Sequence, residues 1–275
     1  MVTATNSLSQ VQTQLDNISN NIANVETVGY KKKQVNFAEL LYQQYDNDKL
    51  DTVQRQSPVG IRFGTGAYVS QIQANQKQGS LKMTERDLDF AFSKENLYFT
   101  VAMNDGGEVQ TAYTRQGNLY VSPAGNGEVM LVTSEGYSVL DSNGDPIYLP
   151  DDAAEFRLSP TGAIQAASAD GQIMRSAELG VIQLDTPQAM QSLTGSYIGL
   201  PSNLDEMGLD EQQILRPLLG EGRQNLNLEQ GMLESSNVDL GVETTNMIAA
   251  QRSYQFSSRA LTMADQMLGL INGIR

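Results

Sequence analysis

The sequence predicts an α+β protein in which helices at the two ends of the chain pair as a coiled coil and flank a β-rich middle of barrel or sandwich type. Two observations lead to this prediction. An apolar seam of heptad type lies near each terminus, and the middle is dense in glycine, β-branched residues and short alternating runs. With 275 residues the chain has room for one to three domains and an ample core.

The first predicted helix covers residues 1 to about 25, and its apolar residues follow in alternating steps of three and four. They are Ala4, Leu8, Val11, Leu15, Ile18, Ile22 and Val25. The other faces carry Asn, Gln, Ser and Thr, so a lone helix of this composition is expected to be marginal in water. We therefore expect this helix to need a partner surface and to be poorly ordered in a dilute monomer. Gly29 is the predicted stop signal.

The segment after this helix is predicted to connect it to the β-rich middle. Three successive lysines, Lys31 to Lys33, are interpreted as a solvated turn, with pairing to acidic groups of a neighbouring subunit as the alternative. Residues 36–60 form the predicted connection. Within it, the spacing of Phe37, Leu40, Leu41 and Tyr45 favours a short helix, and the polar stretch that follows favours a loop.

Residues 61–229 are predicted to form the β-rich domain, with the possibility of two subdomains that divide near residues 149–155. A hairpin is expected with Asp105-Gly106-Gly107 at its turn.

Residues 1–35 and 230–275 are assigned to the paired terminal elements. The second contains a helix with its own seam of Met247, Ala250, Tyr254, Ser257, Leu261, Ala264, Leu268 and Ile271. Asn237 or Asp239 is the expected N-cap, and Glu243 sits where the helix dipole favours an anion. Taken alone, such periodicity also suits an ordinary helix packed within its own chain.

The composition argues against nucleic-acid binding, anionic-lipid binding and catalysis by histidine or cysteine. The formal charge of −14 disfavours nucleic acid and anionic lipid as partners, and the absence of histidine and cysteine removes the usual catalytic pairings. No apolar run approaches the roughly 20 residues of a membrane helix, and the N-terminus lacks the features of a secretory signal. We expect no membrane insertion and, if the protein is exported, a route without a cleaved signal.

The candidate chemical motifs are weak. The run Asp141 to Asp145 has Pro146 where a calcium loop needs glycine, so a turn between strands is favoured. The acidic pairs at 151–152 and 205–206 lie in polar, loop-like sequence without tryptophan nearby, which speaks against glycoside cleavage. We predict no catalytic residue, no cofactor and no metal.

Each end of the chain carries a distinctive set of residues. The N-terminal set comprises Leu15, Ile18, Asn20, Asn21, Ile22, Ala23, Asn24, Thr27, Gly29, Tyr30 and Lys31. The C-terminal set comprises Gln230, Gly231, Leu233, Glu234, Ser236, Asn237, Val238, Asp239, Met247, Ile248, Gln251, Arg252, Tyr254, Asp265, Met267 and Leu268. Both sets resemble the bacterial flagellar axial proteins, the rod and hook subunits. In the middle, QGSLKMTERDLDFAF, YTRQGNLYV and SEGYSVL are similar to strings of the distal-rod type.

The resemblance implies a structural subunit of the flagellar rod that polymerises with itself and with other axial proteins into a hollow tube. It implies export through the flagellar type III apparatus, torque transmission, and an inner wall of paired end helices. The residues expected to carry assembly are Leu8, Val11, Leu15, Ile18, Asn20, Asn21, Ile22, Asn24, Gly29, Tyr30, Asn237, Val238, Asp239, Met247, Gln251, Arg252, Tyr254, Leu261, Leu268 and Ile271. Asn20, Asn21 and Asn24 are further hypothesised to line the channel.

Two alternatives remain open at this stage. One is a hook or proximal-rod subunit of the same family. The other is an exported β protein that binds or cleaves carbohydrate.

Overall fold

A computed structural model describes residues 2–39, 42–45, 61–64, 67–105, 108–201, 204, 208 and 210–273. Three α-helices are resolved there: α1 (Val2–Ala23), α2 (Glu211–Ile214) and α3 (Leu240–Gly273). Two short 3-10 helices cover Pro187–Ala189 and Gly220–Asn225. None of the described helices combines the length and apolar character that crossing a membrane requires.

The strands are short and follow one another closely. In chain order they are β1 (Lys33–Glu39), β2 (Tyr42–Tyr45), β3 (Ile61–Gly64), β4 (Ala67–Ala74), β5 (Leu81–Met83), β6 (Phe90–Phe92), β7 (Leu97–Asp105), β8 (Glu108–Thr114), β9 (Tyr120–Gly125), β10 (Glu128–Val132), β11 (Ser138–Val139), β12 (Tyr148–Pro150), β13 (Glu155–Leu158), β14 (Ala163–Ala167), β15 (Ile173–Glu178), β16 (Val181–Leu184), β17 (Gln191–Ser192), β18 (Tyr197–Gly199), β19 (Leu215–Pro217), β20 (Leu228–Gln230) and β21 (Met232–Glu234). The predicted α+β class, with terminal helices flanking a β-rich middle, is confirmed.

The chain divides into two compact units. The helical unit comprises Met1–Ala23, Lys33–Gln73 and Asp239–Arg275, and the β unit comprises Asn24–Lys32 and Ala74–Val238. The division differs from the one drawn on the sequence, because residues 33–73 group with the terminal helices.

In the helical unit, α1 packs against α3. The unit also contains the two-stranded sheets β1–β4 and β2–β3. Here one sequence prediction is wrong: Phe37 and Tyr45 lie in strands β1 and β2, and Leu40 and Leu41 fall outside the described residues. Pairing with β4 and β3 decides this segment, since cross-strand contacts outweigh a weak helical spacing.

The β unit is built on a large antiparallel sheet with the order β12-β10-β11-β7-β8-β18-β17, to which β9, β16 and β19 are attached. Its two ends do not pair with each other, so the sheet is open and the predicted barrel does not close. The predicted hairpin is confirmed by the pairing of β7 with β8, in which Asp105 lies opposite Glu108. A separate sheet of β13, β14 and β15 begins at Glu155, and the residues on both sides of it belong to the same compact unit. The division into two subdomains near residues 149–155 stays a prediction.

The apolar core lies within the β unit and combines aromatic with branched side chains. Its fully buried members include Phe90, Phe92, Phe99, Val101, Leu119, Leu131, Val139, Leu149 and Ile164. Burial of this extent provides the β unit with a core of its own.

Candidate functional site

A buried charge cluster joins both terminal segments of the chain inside the β unit. Lys31 follows α1, Glu234 ends β21, and Arg115 follows β8. Lys31 Nζ lies 2.7 Å from Glu234 Oε1, and Arg115 Nε lies 2.6 Å from Glu234 Oε2. The three residues are only 9 %, 2 % and 2 % exposed for Lys31, Arg115 and Glu234. We call these three residues the terminal clasp.

Backbone groups provide further hydrogen bonds to the clasp. Lys31 Nζ also donates to the carbonyl of Lys77 at 2.8 Å, and the Gly79 N–H donates to Glu234 Oε1 at 2.9 Å. The Arg115 guanidinium donates to the carbonyls of Leu97 and Lys94 at 3.1 and 3.0 Å. Buried charges persist when they are paired and bonded in this way. The clasp is therefore a structural ion-pair network in which one carboxylate is shared by two cations.

Burial affects the protonation of the lysine. Desolvation, together with the nearby Arg115 guanidinium, lowers the pKa of Lys31 below its usual 10.5, and Glu234 offsets part of this effect. The interpretation of Lys31 as part of a solvated turn is wrong. Its paired acid lies 203 positions away in the chain, so one sequence without an alignment offered no local signal for the contact.

Glycine permits the close approach of the N-terminal segment to this cluster. Gly29 has φ +67°, and a Cβ placed there would lie 2.6 Å from the carbonyl carbon of Arg115. Its N–H donates to the Glu234 carbonyl at 2.8 Å. The helix itself ends at Ala23, so Gly29 serves this packing and does not terminate α1.

Asn237 ties the C-terminal segment to the same place. Its Oδ1 accepts from the Lys32 N–H at 2.7 Å, and its Nδ2 donates to the carbonyls of Asn75 and Lys77, each at 2.9 Å. Its own N–H donates to the carbonyl of the buried Tyr30 at 3.4 Å. The two terminal segments are thus adjacent within the β unit.

Asp239 provides the N-cap of α3. It is one of the two residues that the sequence predicted for this position. Its Oδ1 accepts from the N–H groups of Gly241 and Val242 at 2.9 and 3.1 Å, which satisfies two donors at the helix start. The alternative candidate, Asn237, is occupied by the contacts described above.

Within the helical unit, a buried polar contact fixes the alignment of α1 and α3. Asn21 Nδ2 donates to Glu243 Oε2 at 3.3 Å and to the carbonyl of Lys33 at 2.9 Å. This contact joins the end of α1 to the start of α3, and the helices pack on each other, so they run antiparallel. A single polar contact in a helical seam is a known means of setting register. Asn21 is buried, so the hypothesis that it lines a channel is wrong.

The predicted seams meet, but only over part of their length. Ile18 and Ala250 are buried, and the other seam residues from Leu8 to Ile22 and from Met247 to Ala264 are half-buried. Leu268 and Ile271 are 46 % and 63 % exposed. Leu268 and Ile271 are exposed because α3, with 34 residues, is longer than α1, with 22. At about 1.5 Å per residue, α3 exceeds α1 by roughly 18 Å. We call residues 265–273 the α3 overhang.

The other predicted assembly residues are distributed as follows. Asn20, Gln251 and Arg252 lie on exposed helix surface, Asn24 is half-buried after the end of α1, and Val238 is buried in the β unit before α3 begins. The predicted assembly residues therefore lie in three distinct environments: the helix pair, the surroundings of the clasp and the exposed helix surface.

Of the acidic motifs, the run from Asp141 and the pair at 151–152 lie in the described residues, and the pair at 205–206 lies outside them. Asp141 Oδ1 accepts from the N–H groups of Asn143 and Asp145 at 2.7 and 3.0 Å, which confirms the predicted turn. In the part of the chain that the structure describes, no three acidic side chains come together as metal ligands do.

Comparison with known proteins assigns the chain to a family. Models of three flagellar domains match it: flagella basal body rod protein at residues 1–31, flagellar hook protein FlgE/F/G D1 domain at residues 96–166, and flagellar basal body rod FlgEFG protein C-terminal at residues 229–274. The clasp draws one residue from each end match and a third, Arg115, from the middle match.

Similar proteins cover nearly the whole chain. The flagellar hook-basal body complex protein FlhP of Bacillus subtilis is 40 % identical over 100 % of this chain and 98 % of its own length. The flagellar basal-body rod protein FlgG of the same organism is 32 % identical over 94 % of this chain and 91 % of its own. FlgG of Caulobacter vibrioides is 30 % identical over 99 % of this chain and 98 % of its own. The chain belongs to the flagellar basal-body rod and hook protein family, as a structural subunit near the distal-rod type.

Proposed function

We propose that the antiparallel pair of α1 and α3 is the polymerising element of a distal-rod subunit, and that copies joined through it build a hollow tube. The observation that carries the proposal is the α3 overhang. Its seam residues Leu268 and Ile271 continue a pattern that α1 covers only up to Ala264. Apolar seam residues without a helix opposite them favour association with another molecule.

A repeated contact of this kind explains growth into a filament. When one copy's patch fits a different patch on the next, the contact is heterologous, and it generates an open helical filament where the rotation between copies does not close into a ring. Such a tube transmits torque along its axis and has an inner channel for later subunits. We infer that its partners are further copies and other axial proteins, that no nucleic acid takes part, and that the subunit performs no catalysis.

Passage to the basal body is part of the same proposal. Helices that become fully ordered only on assembly suit transport as an extended chain through a narrow export channel. We propose export through the flagellar type III apparatus without a cleaved signal.

The test is removal of the overhang. A chain that ends at Ala264 is expected to remain monomeric in sedimentation velocity at concentrations where the full chain forms large assemblies. Near-ultraviolet circular dichroism is expected to show an unchanged β unit. The control is a double variant, Thr262→Ala with Gln266→Ala, on the exposed polar surface of α3, which is expected to assemble normally. A shortened chain that assembles like the full chain would contradict the proposal.

A further inference from the structure

A cleft of about 360 Å³ lies in the β unit, on the face of the large sheet opposite to the main core. Thr100 and Tyr113, which are paired across β7 and β8, line this cleft. The strand neighbours of Thr100, Phe99 and Val101, point to the other face and belong to the main core. Apolar walls are provided by Ile182, Leu215, Pro217 and Leu218. We call this space the β16–β19 cleft.

Tyr113 brings an unpartnered hydroxyl group to the cleft. The residue is only 4 % exposed, and its hydroxyl forms no hydrogen bond with any residue that the structure describes. Burial and the negative charge of Glu211 raise the pKa of Tyr113 from 10.0 to about 12, so the phenol is protonated at neutral pH. A buried tyrosine hydroxyl usually has a hydrogen-bond partner. The free one in this cleft therefore favours a polar group that enters from outside the chain.

Two carboxylates line the same cleft, and neither forms an ion pair within the described part of the chain. They are Asp141, in the turn after β11, and Glu211, at the start of α2. Asp141 Oδ2 accepts one hydrogen bond, from Asn143 Nδ2 at 3.2 Å, which leaves a lone pair of this oxygen for a ligand. The arginine on β19, Arg216, pairs instead with Asp185 at 2.8 Å.

The charge state of Asp141 is set by two opposing effects. Burial raises the pKa of its carboxyl group, but hydrogen bonds from the main chain of Asp145 and Asn143 outweigh burial, so the pKa lies below its usual 3.8. Asp141 is therefore ionised at neutral pH, and the cleft combines negative charge with an apolar wall. Such a combination suits a ligand that carries a cation on an aliphatic stem.

We propose that the β16–β19 cleft binds an arginine side chain of another protein. A guanidinium group has five N–H donors, enough for both carboxylates and the Tyr113 oxygen, and it is more weakly hydrated than an ammonium group. The apolar walls cover the aliphatic stem of the arginine. The net charge of −14 also attracts a cationic partner. All of the lining residues belong to the β unit, so this site is independent of the helix pair in the proposed function.

Saturation-transfer NMR on the dilute full chain measures the binding of acetyl-arginine N-methylamide, which presents the side chain on a peptide-like backbone. Tyr113→Phe removes one hydrogen bond and is expected to raise the Kd about fivefold. Glu211→Gln keeps the size of an exposed side chain and removes its charge, and we expect the Kd to rise about threefold. The matched control is Glu155→Gln, which removes the same charge outside the cleft and is expected to leave the Kd unchanged.

The outcomes decide both the site and the kind of ligand. No saturation transfer from the parent chain to the probe would overturn the proposal. An equal Kd for Glu211→Gln and the parent chain would also overturn it, provided that circular dichroism shows the parent fold. Tighter binding of acetyl-lysine N-methylamide, or of the free polyamine spermidine, would overturn the assignment to an arginine side chain. None of these measurements requires assembly, so a negative result leaves the proposed function standing.

Discussion

The terminal clasp and the exposed apolar side chains of α3 differ in whether the chain itself provides their partners. In the clasp, three charged side chains are removed from water, and each meets a partner of opposite charge and a backbone group. On α3, large apolar side chains such as Phe256 remain in solvent. The β unit therefore has a core and a charge network that are complete within its own residues, whereas we propose that the exposed apolar side chains of α3 are covered by another copy on assembly.

The largest expected effect comes from breaking the clasp. Glu234→Ala leaves Lys31 and Arg115 buried side by side without their shared carboxylate. Loss of one partner from a buried ion pair destabilises by about 3–5 kcal/mol, and we expect the free energy of unfolding of the β unit to fall by that amount. Urea denaturation followed by tyrosine fluorescence measures it.

A control for this variant is the exposed ion pair of Glu155 and Arg157, which are 55 % and 61 % exposed. Glu155→Ala is expected to cost less than about 1 kcal/mol. Equal losses from Glu234→Ala and Glu155→Ala would show that the clasp adds nothing beyond a surface pair.

A smaller loss is expected from Gly29→Ala, which tests how closely the N-terminal segment packs. The positive φ costs a non-glycine residue about 1–3 kcal/mol, and the new Cβ also overlaps the main chain of Arg115. Gly125→Ala is a matched control, since Gly125 has φ +88° with nothing within 4 Å of the added Cβ. We expect Gly29→Ala to lose clearly more unfolding free energy than Gly125→Ala, and equal losses would argue against close packing.

Alkaline pH also changes the stability of the β unit. Burial raises the pKa of both Tyr98 and Tyr113 from 10.0 to about 12. Between about pH 10 and 12 the unfolded chain releases phenolic protons that the folded chain retains, so the free energy of unfolding falls as pH rises. Tyr98→Phe removes one of these groups, and we expect its unfolding free energy to fall less steeply with pH. An identical slope would show that Tyr98 titrates normally in the folded protein.

The terminal helices could be predicted from the sequence because their information is local. Steps of three and four place Leu15, Ile18 and Ile22 on one face whatever the rest of the chain does, and the Asp239 cap depends on residues two and three positions later. The exposed apolar residues Phe256, Met263 and Leu270 recur at the sum of the same steps of three and four. They did not stand out in the sequence because the first seam already accounted for the amphipathic character of the helix.

The clasp could not be predicted because it joins residues that are remote in sequence. Arg115 and Glu234 are separated by 119 positions, and nothing near Arg115 distinguishes it from an exposed arginine. The prediction of a short helix that begins at Phe37 was wrong for a related reason. Its strands depend on partners in β3 and β4, so a local helical spacing could not decide its conformation.

Amide hydrogen exchange on the dilute full-length monomer tests the central claim most directly. We expect the strands around Glu234 and Arg115 to exchange only through global unfolding of the β unit, and α1 and the α3 overhang to exchange orders of magnitude faster until copies assemble. Protection of the overhang in the monomer equal to that of the β unit would contradict the claim that α3 is completed by a second copy.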